Sequence, residues 1–388
     1  MKIGIYNEPT RGGIGGSEIS VAVLAEALAA RNEVEIIHHK AYLTRRNLAE
    51  VSGTDLEAVR MRLVGEEQYE FGSVHSPAAR FRQARNWRAA FSEPYDMFIN
   101  FTHGVPPFCH APTGMLMVLF PFHERPSLEI EKQPGKNDFL WKQLKSAYHS
   151  WEWNERLKTY QLKAANSRFS REWATRRWGI DCEIIYPPVD TTLEPRDKQD
   201  IILSVGRFTA TGHSKKQLEM LTAYECLRGP GRDWKYVTVG GVSPAIEDQK
   251  YFEEVSRRAS VCCATALANV EHIELKGLYG QAKVFWHGAG YGESENFPEL
   301  SEHFGVATVE AMSAGCVPIV INRGAQPEIV EHGISGFVWN TLEELGGYTE
   351  LVMRDERLRL EMSKAARRRA ADFSRARFVE RFDRFVGV

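Results

Sequence analysis

Short apolar segments of strand length alternate with longer stretches of helical spacing, twice over, and this alternation constrains the fold more tightly than any other feature of the chain. KIGIY is followed by the glycine-rich TRGGIGGSE, then by ISVAVLAEALAAR with helical spacing, then by the apolar EVEIIHH. A strand, loop, helix and strand in that order make one α/β unit. YDMFINF, GMLMVLF and CEIIYPP read as further strands, with a helical region over residues 141–165. The pattern restarts with the strand IILSVGRF, the helix KKQLEMLTAYECL, the strand WKYVTVGG and a helix near YFEEVSRRAS. It continues with the strand candidates VEHIELKG and AKVFWHG and closes on the strand VPIVIN. The fold class is therefore α/β in two halves, joined at PPVDTTLEPRDKQD, a proline-containing polar passage over residues 187–200. The terminal MSKAARRRAADFSRARFVERF reads as helix with a break near Phe373 and Ser374.

A chain of 388 residues has room for two cores, and 43% hydrophobic with 26% charged residues is ordinary for a globular protein. A formal net charge of -2 gives no concentrated positive footprint, so nucleic acid is not expected as a partner. MKIGIYNEP carries no apolar signal segment, and the longest apolar run, GMLMVLFPF, is too short to cross a bilayer as a helix. A cytoplasmic location is the expectation. Six cysteines (Cys109, Cys182, Cys226, Cys262, Cys263 and Cys316) form no CxxC or disulfide framework and read as reduced and structural.

Open parallel sheets bind ligands beyond the C-terminal ends of their strands, which directs attention to the loops there. The first holds Gly12, Gly13, Gly15 and Gly16, with Ser17 or Glu18 placed to cap or begin the helix. GGIGGS lacks the GxGxxG order of a dinucleotide fingerprint and is not a P-loop. The second, SVGRFTATGHSKKQLEML, sets Arg207 after a strand and Lys215 and Lys216 around a helix start. An arginine fork and a flexible lysine together suit a diphosphate, with Lys216 the weaker candidate.

The third loop is SEHFGVATVEAMSAGCVPIV. Val306, Val309, Glu310 and Ala314 recur at three- and four-residue spacings, so a helix is expected, opened by Gly305 and stopped by Gly315. The amides of Phe304, Gly305 and Val306 would then be donors at a helix N-terminus, where a phosphate or sugar oxygen is favourably held. Glu302 stands just outside that helix and Glu310 inside it, near the face of Val306, where a carboxylate needs a hydrogen-bonding partner.

Glu302 and Glu310 within SEHFGVATVEAMSAG resemble the acidic signature of the GT4 family of retaining, nucleotide-sugar-dependent glycosyltransferases. GGSE at 15–18, the Gly206 and Arg207 pair with Lys215 downstream, and AQPEIVEHGISGFV over 325–338 extend the resemblance across most of the second half and parts of the first. It implies the GT-B fold, in which two Rossmann-like domains face each other across a cleft. Here these would be an acceptor-binding domain over residues 1–195 and a donor-binding domain over 196–370. A C-terminal helix over 371–388 would pack back toward the first.

By the same resemblance, Glu310 accepts hydrogen bonds from the donor ribose and Glu302 approaches the transferred sugar. Arg207 and Lys215 steady the diphosphate leaving group, with His303, Phe304, Gly305 and Val306 alongside. Gly15 and Gly16 approach the donor phosphate, and Lys276, Gly277, Leu278 and Tyr279 border the base. MVLFPFHERP resembles the family strand that presents a histidine to the sugar, which makes His123 a catalytic candidate with His103 its competitor. His103, Glu124 and Tyr291 are candidates for acceptor contact. The family needs neither a catalytic metal nor a cofactor, so the expected partners are a UDP-sugar or GDP-sugar and a glycan, lipid-linked or small-molecule acceptor. A lipid-linked acceptor would bring peripheral contact with the inner membrane face.

Two other readings share this donor half: a related phosphorylase or sucrose-synthase-like enzyme, and a noncatalytic nucleotide-sugar-binding protein. The segment FWHGAGYGESENFPELSEHFG departs from the family by its length and its glycine and acid content. Tyr291, Glu293, Glu295 and Asn296 either shape specificity there or decorate an exposed loop.

Overall fold

The computed structural model describes residues 1–7, 13–64, 77–122, 138–227 and 233–387. The chain divides into two compact units, Met1–Ile185 with Arg381–Val388, and Tyr186–Glu380. In unit 1 the strands are β1 (Lys2–Asn7), β2 (Glu33–His38), β3 (Val59–Leu63), β4 (Met97–Thr102), β5 (Thr113–Val118), β6 (Leu162–Ala165) and β7 (Glu183–Ile184). They pair in parallel in the order β3-β2-β1-β4-β5-β6-β7. The helices are α1 (Gly16–Ala29), α2 (Arg45–Ser52), α3 (Pro77–Ala90), α4 (Asp138–Lys158) and α5 (Arg168–Trp178). Every residue of β4 is buried, as expected of a central parallel strand covered on both faces.

Unit 2 repeats the arrangement with β8 (Gln199–Val205), β9 (Lys235–Gly240), β10 (Thr265–Ala268), β11 (Ala282–His287), β12 (Val317–Ile321) and β13 (Phe337–Trp339). Their order is β10-β9-β8-β11-β12-β13, again parallel throughout. Its helices are α6 (Gln217–Cys226), α7 (Ile246–Val261), α8 (His272–Gln281), α9 (Val306–Ser313), α10 (Gln326–Ile329), α11 (Leu342–Arg354) and α12 (Glu356–Ala370). After a short turn at Ala371–Phe373 comes α13 (Arg375–Val386), so the chain breaks where the sequence placed its break. All six cysteines are free thiols. Among the described residues no helix is long and apolar enough to cross a membrane.

Two segments differ from the sequence reading. The helix expected over 141–165 stops at Lys158, and Leu162–Ala165 is strand β6. Tyr160 causes the break, for its ring is fully buried and its hydroxyl donates to Pro107 O at 2.7 Å, which pins the chain before the strand. VEHIELKG is not a strand but runs into α8, since Leu275, Leu278 and Tyr279 recur at helical spacing and pack on one core. The strand that precedes it is the short TALA of β10, too brief to show a period. CEIIYPP shrinks to the two residues of β7.

One close approach in unit 2 sets the geometry discussed below. Val205 of β8 lies in register with Val239 of β9, so the glycines that follow them meet. A Cβ on Gly240 would stand 2.0 Å from Gly206 O, a backbone atom that cannot swing aside. Gly240→Ala should therefore lower the stability of this unit by about 2–4 kcal/mol, seen as a fall in the midpoint of urea unfolding. An unchanged midpoint would show that the two strand ends are not held this closely.

Candidate functional site

The strand order of unit 2 reverses between β8 and β11, the position at which open α/β sheets place ligands. Beyond β8 the chain turns through Gly206 and Arg207. Gly206 N donates to Val239 O at 2.9 Å, and Gln217 Nε2 donates to the carbonyls of Gly206 and Arg207 at 3.2 Å each. Arg207 is exposed, and its guanidinium has no hydrogen bond or ion pair among the described residues. The Lys215 side chain lies against Gly206, where a Cβ would meet its Cγ at 2.5 Å. Its Nζ reaches Glu302 Oε2 at 2.5 Å. Lys216 behaves differently: it takes a left-handed φ of 60° before α6 and sends its Nζ to Glu293 at 2.5 Å.

Glu302 is the centre of this cluster. His287, the last residue of β11, places Nε2 2.9 Å from the same Oε2, and His213 Nε2 lies 3.9 Å from it. A carboxylate only accepts, so the His287 imidazole carries its hydrogen on Nε2, and Nδ1 has no partner among the described residues. Burial drives the His213 ring down to about 3, with Lys215 adding to the effect and Glu302 opposing it. Burial likewise lowers His287 against the pull of Glu302. Both rings are then neutral at pH 7, and Lys215 is the cation. Burial works against the charge on Glu302, but Lys215 and its neighbours hold the carboxyl well below the usual carboxylate range.

α9 starts beside this carboxylate. Gly305 has a φ of 120°, which only glycine adopts readily, and a Cβ there would meet Gln326 Nε2 at 2.1 Å. Gln326 Nε2 donates to Phe304 O at 3.1 Å, and its Oε1 accepts from Thr308 Oγ1 at 2.9 Å. The amides of Phe304, Gly305 and Val306 find no acceptor among the described residues, so they remain available at the helix start. The Phe304 ring is buried 5.8 Å from Tyr186 and 5.6 Å from Phe373, which leaves its backbone as the part that can contact a ligand. The His303 ring stacks on His213 at 5.4 Å.

Glu310, along α9, sits in a second environment. Tyr279 of α8 donates its hydroxyl to Glu310 Oε2 at 3.0 Å, and Lys276 on the same helix pairs with Asp190 Oδ2 at 3.0 Å. Burial raises the Glu310 carboxyl to about 7, with Asp190 reinforcing the rise and Tyr279 and Lys276 opposing it. Gly277 is buried on α8, and Leu278 packs toward the core of Leu203, Phe285 and Ala311, so its side chain is committed there.

In unit 1 the order reverses between β1 and β4. Gly15 precedes α1 and donates its N–H to Glu18 Oε2 at 2.9 Å, while Gly16 is the first helical residue. His103 follows β4 with its ring 5.0 Å from Phe122, and burial pushes it down to about 4 against a bond to the Phe120 backbone. Tyr291 of unit 2 rests its ring 5.4 Å from Trp339, half-buried. Glu295 and Asn296 are exposed. His123, Glu124 and Gly12 lie outside the described residues.

The sequence reading does not single out His287, His213, Asp190 or Gln326. His287 had a readable signal, a polar residue closing the apolar strand AKVFWH. Gln326 had none, because its task is to hold a backbone turn.

Comparison with known proteins gives matches over both units. The family model "Glycosyltransferase Family 4" matches residues 14–193, and "Glycosyl transferases group 1" matches residues 190–369. The GDP-Man:Man(3)GlcNAc(2)-PP-Dol alpha-1,2-mannosyltransferase of Dictyostelium discoideum is 28% identical over 233 residues, 54% of this chain and 43% of that protein. An alpha-1,3/1,6-mannosyltransferase of Homo sapiens is 25% identical over 235 residues, 53% of this chain and 52% of that one. The matches thus span about half the length of these curated relatives. Among solved structures, Anabaena HepE in complex with UDP superposes with a TM-score of 0.68 at 16% identity, covering 100% of both chains. WaaG, a glycosyltransferase involved in lipopolysaccharide biosynthesis, gives 0.62 at 13% identity, again over 100% of both. These likenesses establish the fold, which is of the GT-B type.

The state of Glu310 has a measurable consequence. A carboxyl at about 7 in the folded protein, against 4.5 ordinarily, binds its proton more tightly when folded. Stability therefore falls as pH rises from about 4.5 to about 7 and is level above that. Glu310→Gln should remove that slope and gain on the wild type by at most about 3 kcal/mol between pH 5 and pH 8, measured by urea unfolding. A wild-type to variant difference that is the same at both pH values would contradict the burial of this carboxyl.

Proposed function

We propose, since the chain belongs to the group 1 glycosyl transferases, that it moves a sugar from a nucleoside-diphosphate donor to an acceptor hydroxyl with retention of the anomeric configuration. The observation that carries this reading is the convergence of Lys215, Glu302 and the open amides of the α9 start at the strand-order reversal of unit 2. A departing nucleoside diphosphate develops negative charge, and fixed cations and backbone donors are what stabilise it. Arg207, exposed and unpaired among the described residues, and Lys215 supply the cations, and the amides of Phe304, Gly305 and Val306 supply the donors. Glu310 accepts hydrogen bonds from the ribose hydroxyls, and Lys276 and Gly277 border the base. Glu302 faces the transferred sugar. The bond from the anomeric carbon to the diphosphate oxygen breaks, the bond to the acceptor oxygen forms on the same face of the ring, and the acceptor's hydroxyl proton passes to the departing diphosphate.

In this reading unit 2 holds the donor and unit 1 most of the acceptor site, with Gly15 and Gly16 on the donor phosphate and His103, His123 and Glu124 toward sugar or acceptor. Two relatives whose names specify the donor, those of Dictyostelium discoideum and Komagataeibacter xylinus, use GDP-Man or GDP-mannose, which puts GDP-mannose first among donors for this chain. The Dictyostelium relative's acceptor is joined to a lipid through a diphosphate, which favours a lipid-linked glycan here, reached from the membrane surface.

Incubation with GDP-mannose, UDP-sugars and ADP-sugars, with release of the matching diphosphate and product linkage read by NMR, tests this directly. GDP-mannose should support transfer with the configuration kept, without added metal. Arg207→Ala and Lys215→Ala should each lower kcat by about 10²–10³. Glu310→Ala should instead weaken binding of the nucleoside diphosphate. An inverted product would remove the retaining assignment, and full turnover by Arg207→Ala would remove Arg207 from the diphosphate.

A further inference from the structure

Unit 1 carries a second concave site, away from its strand-order reversal. The chain returns from the end of β4 to the start of β5 through Pro107, Phe108 and His110, and α3 and α4 flank that return to leave a cavity of about 330 Å³. Both helices contribute their C-terminal halves, which lie toward the N-terminal ends of the strands. His103 and α1 emerge at the opposite end. The volume suits a ligand the size of one sugar ring.

The wall is built rather than incidental. Arg156 is 3% exposed, and its guanidinium lies 5.4 Å from the ring centre of Trp87 and 4.7 Å from that of Phe108. Nη1 donates to Pro106 O at 3.0 Å and Nη2 to Glu152 Oε1 at 2.7 Å. These contacts hold Arg156 and Glu152 in one place, so the wall keeps its shape. The guanidinium covers the faces of Trp87 and Phe108, which leaves the exposed rings of Tyr148 and Trp151 to meet a pyranose, a ligand with an apolar C–H face and a rim of hydroxyls.

The rim adds charge and exposed rings. Trp151 and Tyr148 are 57% and 56% exposed, with centroids 5.9 Å apart. Arg85 and Arg88 face the cavity from α3, and neither makes a hydrogen bond or ion pair among the described residues. Glu152 is the one acidic residue of the described lining, and Arg156 already engages it. The mouth is therefore left positive. Concavity and the ion pair in its wall fit a discrete ring better than a flat lipid surface.

We propose that this cavity binds one ring of an anionic glycan, with the sugar face against Trp151 and Tyr148 and its carboxylate or phosphate substituent on Arg85 and Arg88. The choice of a carbohydrate rests on the transfer reading, and the site would hold an extended acidic acceptor at a distance from the reacting hydroxyl.

Calorimetric titration of the full chain with oligogalacturonate, with a phosphorylated mannose oligomer and with their neutral counterparts tests it, alongside GDP. At least one acidic oligomer should bind, its neutral counterpart at least about tenfold more weakly, because charge-assisted bonds to arginine are lost. Trp151→Ala and Arg88→Ala, both at surface positions, should each weaken the acidic oligomer at least about tenfold and leave GDP affinity unchanged. Failure of both acidic oligomers to bind at millimolar concentration would overturn the proposal, as would binding that neither substitution alters. Trp151-dependent binding to phosphatidylglycerol vesicles without oligomer binding would overturn it in favour of a membrane surface. A wild type that binds the oligomer but releases diphosphate from no donor would sink the transfer reading and leave the cavity assignment standing.

Discussion

Three successive strand ends of unit 2 converge on the Glu302 carboxylate and the backbone that carries it. Lys215 follows β8 and supplies the positive charge, His287 ends β11 and supplies a hydrogen bond, and the turn after β12 fixes the main chain, where Ala325 N donates to Glu302 O at 2.8 Å. Gly324 passes so near that a Cβ would stand 2.1 Å from Glu302 O. An ionised carboxylate largely withdrawn from water is tolerated only when it is paired and hydrogen-bonded, so each of these contacts is a condition on the others. The start of α9 inherits its position from this arrangement, because Gly305 follows three residues later and Gln326, just beyond Ala325, holds the Phe304 carbonyl.

The two glutamates of the opening motif, eight positions apart, end in opposite electrostatic states for reasons outside the motif. Glu302 has a lysine at 2.5 Å and stays ionised far into the acid range. Glu310 has a neutral phenol at 3.0 Å, with Asp190 raising it further, and titrates near neutrality. Burial pushes both carboxyls upward, and the identity of the partner decides the outcome. One site thus holds a fixed negative charge beside cations that suit a diphosphate, and a second carboxyl whose acceptor capacity suits hydroxyl groups.

Much of this was legible in the sequence. The alternation of apolar strands and helices gave the α/β class, and Gly305 as the start of a helix ending at Gly315 followed from spacing and glycine placement. What stayed hidden depended on tertiary packing. β6 escaped notice because four residues, LKAA, carry no period, and the segment of α8 was misread because its valine and isoleucine suggest strand while the deciding Leu275 and Tyr279 contacts lie in the fold. Lys215 and Glu302 were both singled out, but their direct pairing across 87 residues was not, nor was the pairing of Lys216 with Glu293, because ion pairs between loops leave no local pattern. Tyr279 stands in the sequence reading only beside the base, and its hydrogen bond to Glu310 follows from the packing of α8 on α9.

In the proposed reading the charged cluster at the β8 and β11 ends receives a diphosphate, with Glu310 set toward the attached ribose. A crystal structure of the chain with GDP bound tests it most directly. Diphosphate oxygens should then lie within hydrogen-bonding distance of Lys215 Nζ, the Arg207 guanidinium and the amides at the α9 start, with Glu310 accepting from ribose hydroxyls. A diphosphate bound away from Arg207 and Lys215, or a ribose that does not meet Glu310, would contradict it.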